Sequence, residues 1–222
     1  MIGIIVAMES ELKPYLDKID SLKKEKIGQK DFFSGKIGDK EVAFVLSGIG
    51  KVNAAYAATL MINRYKPEFI ISTGVSGGLG RTDIMEIVVA EKVVQHDCDT
   101  TAFGDPIGFV STIDKVFFET DKVLSKKFLE IMSAHSGIVA CGDQFVANET
   151  KAREIVKNFD AIACDMESGA IGQIAYIENV SFVVLRCVSD SAHESAEVSF
   201  NDVVVYAASK LSEAVVRVIK QL

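Results

Sequence analysis

The sequence predicts an α/β protein with three layers, α/β/α, in which helices cover both faces of a mostly parallel or mixed central sheet. Apolar runs that fit buried strands alternate with stretches that fit helices. Many of the apolar runs end in Gly, Ser or acidic residues. No linker, internal repeat or low-complexity tract divides the 222 residues. Since this length is about one to one and a half average domains, we expect a single domain over residues 1–222.

The N-terminal half alternates strand-like runs with helical stretches and glycine loops. Residues 2–7 are continuously apolar, as expected of a strand buried on both faces. A helix should follow from Met8 to about Ile19, with Pro14 tolerated if it lies in the first turn. A glycine loop between a strand and a helix either binds an anion or simply turns tightly. We predict a hairpin from strands 31–35 and 40–46, further strands at 69–73 and 86–95, glycine loops at 47–51 and 74–78, and a helix at 52–65.

The C-terminal half continues the alternation and ends in a long helix. Two strands joined by a helix normally run parallel in one sheet, so the strands that contain Cys164 and Leu185 should share a sheet. The aromatic, irregular segment 96–109 is long for a loop in a compact domain, and such loops usually serve function or an interface. Strands are predicted at 136–141, 162–165 and 180–185, helices at 122–135, 149–158, 168–176 and 200–221, and a polar loop at 191–199.

Charge and hydropathy exclude several classes of partner. The net charge of −7 and the scattered basic residues disfavour nucleic acid and anionic membrane. The basic cluster at residues 23–26 is interpreted as a solvated turn. No apolar run reaches the ~18 residues that a membrane-spanning helix needs. The apolar start lacks the basic residues of a signal peptide, so we expect a first strand there and a cytoplasmic protein.

The cysteines and histidines do not have the spacing of a metal site or a redox pair. Cys98, Cys141, Cys164 and Cys187 are far apart, and three of the four lie in apolar, strand-like runs. We therefore expect buried free thiols instead of disulfides, and no metal.

Acidic side chains follow several of the predicted strands. Asp165, Glu167 and Asp190 lie at strand carboxyl ends, where open α/β sheets bind ligands, and Glu11 follows the first strand. One interpretation is a concave polar site at this edge. The other is helix capping, because an acid at a helix start satisfies free N–H groups. Glu9 and Glu11 point in different directions on a helix, so only one of them should face a site.

Two basic residues near these acids have alternative interpretations. Lys51 follows a glycine loop without the eight-residue phosphate-binding pattern, and is either a ligand or a surface residue. Arg186 is either an active-site anchor for the acidic turns or part of a buried structural ion pair. The GxGxxG motif of dinucleotide enzymes is absent from the sequence.

Ordered motifs cover nearly the whole chain, at segments 3–11, 47–52, 73–78, 96–103, 142–145, 165–167, 189–190 and 199–200. Together they resemble the purine nucleoside phosphorylase/nucleosidase superfamily, and within it the bacterial 5′-methylthioadenosine/S-adenosylhomocysteine nucleosidases. The order of the motifs makes the resemblance specific, where any one of them alone would be weak. Segments 96–99, 106–109 and 142–145 are similar to the subgroup that also cleaves 6-amino-6-deoxyfutalosine.

The resemblance implies hydrolysis of the N-glycosidic bond between adenine and a 5′-substituted ribose, without a cofactor. Glu11 would activate the attacking water, Asp190 would protonate adenine N7, and Glu167 would hold the ribose hydroxyls. The family also implies a homodimer. Its other substrate-binding residues match Met166 beneath the sugar, Phe145 and Val146 at the base, Ser76 and Gly77 in the loop near the base, Ile49 and Phe200 near the 5′ group, and Phe103 lent by the neighbouring subunit.

Two departures and two rival functions accompany the resemblance. Val75 stands where some relatives carry Ser, and Asp165 where others carry Glu. A phosphorylase on the same fold would need cations at the nucleophile site, for which Lys51 is the candidate in the N-terminal loops. A non-catalytic nucleoside-binding protein would be expected to lack Glu11 or Asp190, and both are present.

Overall fold

In the described part of the chain, a mixed sheet of ten strands forms the centre of the fold. The computed structural model describes residues 1–191 and 200–222, except for the side chains of residues 200–202. The strands are β1 (Ile2–Val6), β2 (Asp20–Ile27), β3 (Lys30–Ile37), β4 (Lys40–Leu46), β5 (Phe69–Gly78), β6 (Ile87–Gln95), β7 (Phe117–Glu119), β8 (His135–Cys141), β9 (Ala161–Asp165) and β10 (Ser181–Ser191). The helices are α1 (Glu9–Leu16), α2 (Lys51–Tyr65), α3 (Lys122–Ile131), α4 (Glu149–Phe159), α5 (Ser168–Ile177) and α6 (Phe200–Ile219), with a 3-10 turn at Thr101–Phe103.

Strand β5 organises the sheet, because three strands pair with it. Strands β1 and β10 lie parallel to it on either side, and β9 pairs antiparallel with its last two residues, Gly77 and Gly78. Strand β10 also pairs with β6, β6 with β8, and β8 with β9, so the pairing closes a ring. The carboxyl ends of β5, β9 and β10 therefore meet at one edge of the sheet.

Helices pack on both faces of the sheet and bury separate apolar layers. Helices α1, α3 and α6 cover one face, where Tyr15, Phe128 and Leu211 are buried. Helices α2 and α5 cover the other face, with Met61 and Ile171 in the layer beneath them. This arrangement, with helices on both sides of a mixed sheet, confirms the predicted fold class.

Several predicted boundaries are wrong, and the largest error concerns residues 23–26. They lie in β2, not in a turn, and pair antiparallel with β3. Strand β2 is mostly exposed, so it has no apolar alternation to identify it, and its lysines suit an edge strand that must not pair further. Helix α1 ends at Leu16 with Pro14 inside it, α3 ends at Ile131, and the short β7 was not predicted.

Burial of the cysteines follows the expectation for three of the four. Cys141, Cys164 and Cys187 are buried free thiols, whereas Cys98 is half-buried. Among the helices of the described ranges, none is long and apolar enough to cross a membrane.

Candidate active site

A pocket of about 180 Å³ opens at the edge where β5, β9 and β10 end. Its wall is mainly apolar, but four carboxylates line it as well, from Glu11, Asp165, Glu167 and Asp190. This combination of an apolar cleft with a few convergent polar groups is typical of small-molecule sites. The sequence-predicted residues that the pocket brings together are Glu11, Ile49, Ser76, Gly77, Phe145, Val146, Met166, Glu167 and Asp190.

Among the predicted site residues with described side chains, Phe103 does not line this pocket. Phe103 lies in the short 3-10 turn and is 87% exposed. Its side chain is thus exposed in its own chain, which is what we expect of a residue that contributes to the site of another subunit. The side chain of Phe200 lies outside the described residues, so its predicted place near the 5′ group stays a prediction.

Glu11 is buried and its carboxylate is held by backbone N–H groups. Its Oε2 accepts hydrogen bonds from the N–H groups of Ala7 and Met8, at 2.9 and 3.0 Å. Its Oε1 accepts the N–H of Val75 at 2.9 Å. Burial raises the pKa of Glu11 above its ordinary value, and the Val75 N–H and the charge of Arg186 oppose that rise. Glu9, by contrast, is exposed, so Glu11 is the acid of α1 that faces the site.

The short path from β1 into α1 explains how Glu11 reaches this position. Strand β1 ends at Val6, and Met8 caps the N-terminus of α1, so Glu11 lies in the first helical turn. Gly74 of β5 lies against the carboxylate: a Cβ at this position would be 2.5 Å from Glu11 Oε1. Only glycine therefore allows β5 to approach Glu11 so closely. The bond from Val75 uses its backbone, so it does not depend on the Val75 side chain.

Glu167 is the second buried carboxylate of the pocket. Its Oε1 accepts the N–H of Gly50 at 2.9 Å. Burial, followed by repulsion from Asp165, raises the pKa of Glu167 to about 7, although Arg186 lowers it. Gly50 has a φ of 97°, a backbone conformation that residues other than glycine rarely adopt. The structure thus adds Gly50 and Gly74 to the site, and sequence reasoning had noted both only as members of glycine loops.

Asp165, which also lines the pocket, forms a buried ion pair with Arg186. Arg186 Nε donates to Asp165 Oδ2 at 2.7 Å, and Arg186 Nη2 donates to Ser72 Oγ at 2.9 Å. The other oxygen of Asp165 accepts the N–H and the hydroxyl of Ser168 at the start of α5, at 3.2 and 2.8 Å. Asp165 therefore fits both interpretations, because it caps the helix and also lines the pocket. Both interpretations of Arg186 apply, because the buried pair also anchors the acidic turn.

Asp190 lies where β10 departs from regular pairing. The register of β10 against β5 shifts between Val188 and Asp190, and such bulges re-aim side chains at sheet edges. Ser189 donates its hydroxyl to Asp190 Oδ2 at 2.8 Å. Burial raises the pKa of Asp190 above its ordinary value, with the Ser189 hydrogen bond acting in the opposite direction. The carboxyl group is therefore protonated more readily than that of an exposed aspartate.

Apolar side chains at the mouth of the pocket are open to solvent. Phe145 is 57% exposed and Ile49 is 51% exposed, whereas Val146 is buried. Such exposed apolar area beside a pocket is typical of a surface that a ligand or a second chain covers. Lys51, which follows the Ile49 loop, bonds through Nζ to Asp97 Oδ1 at 2.7 Å.

Comparison with known proteins agrees with this geometry. Residues 1–220 match the Phosphorylase superfamily. A 5′-methylthioadenosine/S-adenosylhomocysteine nucleosidase of Staphylococcus aureus is 38% identical over 229 residues, with 100% of both chains covered. The nucleosidase of that name from Neisseria meningitidis, solved with methylthio-immucillin-A, is 32% identical with a TM-score of 0.95 and covers 100% of this chain and 99% of its own. The Campylobacter jejuni nucleosidase is 32% identical, with a TM-score of 0.93 and the same coverage.

These similarities extend over the full chain. The described part of the fold is also that of the solved nucleosidases. The chain therefore belongs to the Phosphorylase superfamily, in the group of the 5′-methylthioadenosine/S-adenosylhomocysteine nucleosidases.

Proposed function

We propose that the protein hydrolyses the N-glycosidic bond of 5′-methylthioadenosine and S-adenosylhomocysteine, releasing adenine and the 5′-substituted ribose. The observation that carries this proposal is the presence of Glu11 and Asp190 in one pocket, each buried and each with a raised pKa. Two carboxyl groups are what such a reaction needs, one as a base toward water and one as an acid toward the leaving group.

Glu11 is proposed as the base. The backbone N–H groups that hold it keep the carboxylate in place, and burial makes it a stronger base than an exposed glutamate. It would take a proton from water as that water attacks the anomeric carbon. The proton then resides on Glu11 until the product leaves.

Asp190 is proposed as the acid that protonates adenine N7. An ordinary aspartate, with a pKa of ~3.9, is a poor proton donor near neutral pH. Burial and the consequent rise of its pKa favour the protonated form of Asp190. Adenine N7 also becomes more basic as the glycosidic bond breaks, so the transfer becomes favourable late in the step. The Ser189 hydroxyl fixes the orientation of the carboxyl group.

Glu167 is proposed to bind the ribose hydroxyls and to stabilise the positive charge that develops on the sugar. The Gly50 N–H holds one of its oxygens, and Met166 beside it is proposed to pack beneath the ribose. Phenylalanine suits the flat, apolar face of adenine, which supports Phe145 as the stacking residue. We further propose that Val146, Ser76 and Gly77 line the pocket for the base. Ile49 and Phe200 are proposed to contact the 5′ group.

The half-exposed Ile49 side of the pocket also supports a broader choice of 5′ group. We therefore include 5′-deoxyadenosine and 6-amino-6-deoxyfutalosine as proposed substrates. The reaction needs water, a base and an acid, so the proposal includes no cofactor. The proposed unit is a single domain over residues 1–222, and its free thiols fit a reducing compartment such as the cytoplasm.

Phosphorolysis is a less suitable alternative because the nearby cations are already bonded. Lys51 is paired with Asp97, and Arg186 with Asp165. A phosphate nucleophile would have to displace one of these pairs or face Glu11 and Glu167 without a cation.

The direct test is adenine release from 5′-methylthioadenosine in phosphate-free buffer, followed by chromatography. We expect full turnover there, and free 5-methylthioribose as the second product. Release that requires added phosphate, with a sugar phosphate as product, would replace hydrolysis by phosphorolysis. Tight binding without release under either condition would indicate a nucleoside-binding protein.

A Glu11→Gln variant should lose turnover by ~10²–10⁴-fold, since the amide cannot accept a proton from water. Affinity for an uncleavable nucleoside should change by a much smaller factor, because the side chain keeps its size. Single-turnover kinetics and calorimetry measure the two effects separately. The matched control is Glu9→Gln on the exposed side of α1, which should turn over normally. If the control is damaged and Glu11→Gln is active, the base has been assigned to the wrong residue.

An Asp190→Asn variant should slow the chemical step by at least ~10²-fold on 5′-methylthioadenosine and change substrate binding much less. Asparagine can still donate a hydrogen bond to N7 but cannot transfer a proton. The loss should shrink for a 5-methylthioribosyl substrate whose leaving group, such as nitrophenolate, departs without protonation. Single-turnover rates on both substrates are compared. An equal loss on both would mean that Asp190 orients the substrate and that the acid lies elsewhere.

We also propose a homodimer in which residues 97–109 cover the pocket of the neighbouring subunit. The 87% exposure of Phe103 supports it, as do the open Phe145 and Ile49 beside the pocket. Sedimentation should show a dimer. We expect its interface to bury more than the ~1,200 Å² of total surface that is typical of stable complexes. A fully active monomer would overturn the proposal.

Mixed dimers test the role of Phe103 more sharply. Phe103→Ala and Glu11→Gln should each be impaired alone. In a hybrid dimer, the site that keeps Glu11 would receive Phe103 from the other subunit and would be intact. With random pairing after co-expression, about a quarter of all sites should therefore be intact. No recovery in isolated hybrids would place Phe103 in its own chain's site or outside any site.

A further inference from the structure

Three loops around the pocket are joined by a ring of hydrogen bonds that none of the proposed catalytic residues enters. The Lys51 backbone N–H donates to Asp143 Oδ1 at 2.7 Å. The Asp143 N–H donates to Asp97 Oδ2 at 2.9 Å. Lys51 Nζ completes the ring by donating to the other oxygen of Asp97 at 2.7 Å. We call these three residues the Lys51–Asp97–Asp143 ring.

The ring connects the two sides of the pocket. Asp143 precedes Gln144, Phe145 and Val146, which line the side proposed for the base. Lys51 follows Gly50, whose N–H holds Glu167 on the side proposed for the ribose. These segments are far apart in the chain, and the ring fixes them relative to each other. Asp97, Asp143 and Lys51 themselves are not among the residues that line the pocket.

Local structure makes the ring specific. Helix α2 begins at Lys51, and its N-cap Gly50 has no side chain to accept a free N–H. Asp143 accepts that N–H from across the pocket, and a carboxylate at this helix end is favoured by the helix dipole. A Cβ on Gly50 would lie 3.1 Å from Asp143 Oδ1, so the fit between the two loops is tight.

Charge strengthens the ring. The side chains of Lys51 and Asp97 are 20% and 17% exposed, so water screens this ion pair less than a surface pair. Burial alone would raise the pKa of Asp97, but the Lys51 ammonium and the Asp143 N–H lower it below its ordinary value. Asp97 therefore stays ionised and accepts both bonds across the neutral pH range.

We propose that the Lys51–Asp97–Asp143 ring is a positioning device that sets the separation between the base side and the ribose side of the pocket. Asp97 and Lys51 are then positioning residues for ligands that span both sides, and they matter little for a ligand that occupies the base side alone. This inference rests on the proposed function, because that function assigns the two sides.

The test compares two probes by calorimetry. One is adenine, which occupies the base side only. The other is a 7-deaza analogue of 5′-methylthioadenosine, which spans both sides and resists cleavage. The variants are Lys51→Met, which removes the ammonium but keeps the stem and the backbone N–H, and Asp97→Asn, whose amide can accept only one of the two bonds. Lys126→Met, in an exposed ion pair of α3, is the matched control.

Each ring variant should bind the nucleoside analogue about tenfold more weakly and adenine within about twofold of the wild type. The double variant should be little worse than the weaker-binding single variant, because both changes break one ring. Lys51→Arg keeps the charge and should recover most of the affinity. Lys126→Met should bind both probes normally. Thermal unfolding of each variant shows that it is folded at the assay temperature.

Two results would overturn the inference. One is an equal loss for adenine and the analogue, which would indicate general damage to the fold. The other is unchanged affinity for the analogue in both ring variants. The proposed function is tested separately, by adenine release from the wild type. A wild-type protein that binds both probes but releases no adenine would refute hydrolysis. The affinities of the ring variants would still test the role of the ring. A wild type that binds neither probe would refute both.

Discussion

The burial of one arginine among three carboxylates constrains the rest of the site. Arg186 bonds directly to Asp165, so that carboxylate is the one that the cation neutralises. Glu11 is left to three backbone N–H groups, and Glu167 to one. Hydrogen bonds to the charged form lower a carboxyl pKa, and burial raises it. The pKa of about 7 for Glu167 follows first from its burial and then from the charge of Asp165, which its single backbone N–H donor does not offset.

The sheet topology supplies these donors from segments that are distant in sequence. The N–H groups that hold Glu11 come from the end of β1 and from β5, and the partner of Glu167 comes from the loop before α2. Strand β10 pairs Arg186 with Gly74 of β5, directly beside the carboxylate of Glu11. A change of register in β10 would therefore displace the cation, the glycine contact and Asp190 together.

Sequence reasoning reached the acids because they follow apolar strands, and the carboxyl ends of parallel strands share an edge. It could not choose between capping and a site for each acid. The structure shows that Glu11 lines the pocket and that Asp165 both caps α5 and lines the pocket. Their roles came from the resemblance, not from periodicity. The exposed β2 has no periodic pattern to detect. The contacts of Gly50 and Asp97 with residues more than 40 positions away are likewise invisible in local patterns.

The excess of carboxylates also bears on which nucleophile the pocket accepts. Phosphate would bring negative charge toward Glu11 and Glu167, and like charges repel strongly where water is excluded. Water brings no charge. In the proposed reaction the sugar becomes positive as the glycosidic bond breaks, and the same carboxylates would attract it. Their mutual repulsion is unfavourable in the empty protein and is relieved most when that positive charge is present. With the proposed roles, the site is complementary to the transition state more than to the neutral substrate, which is the condition for accelerating the chemical step.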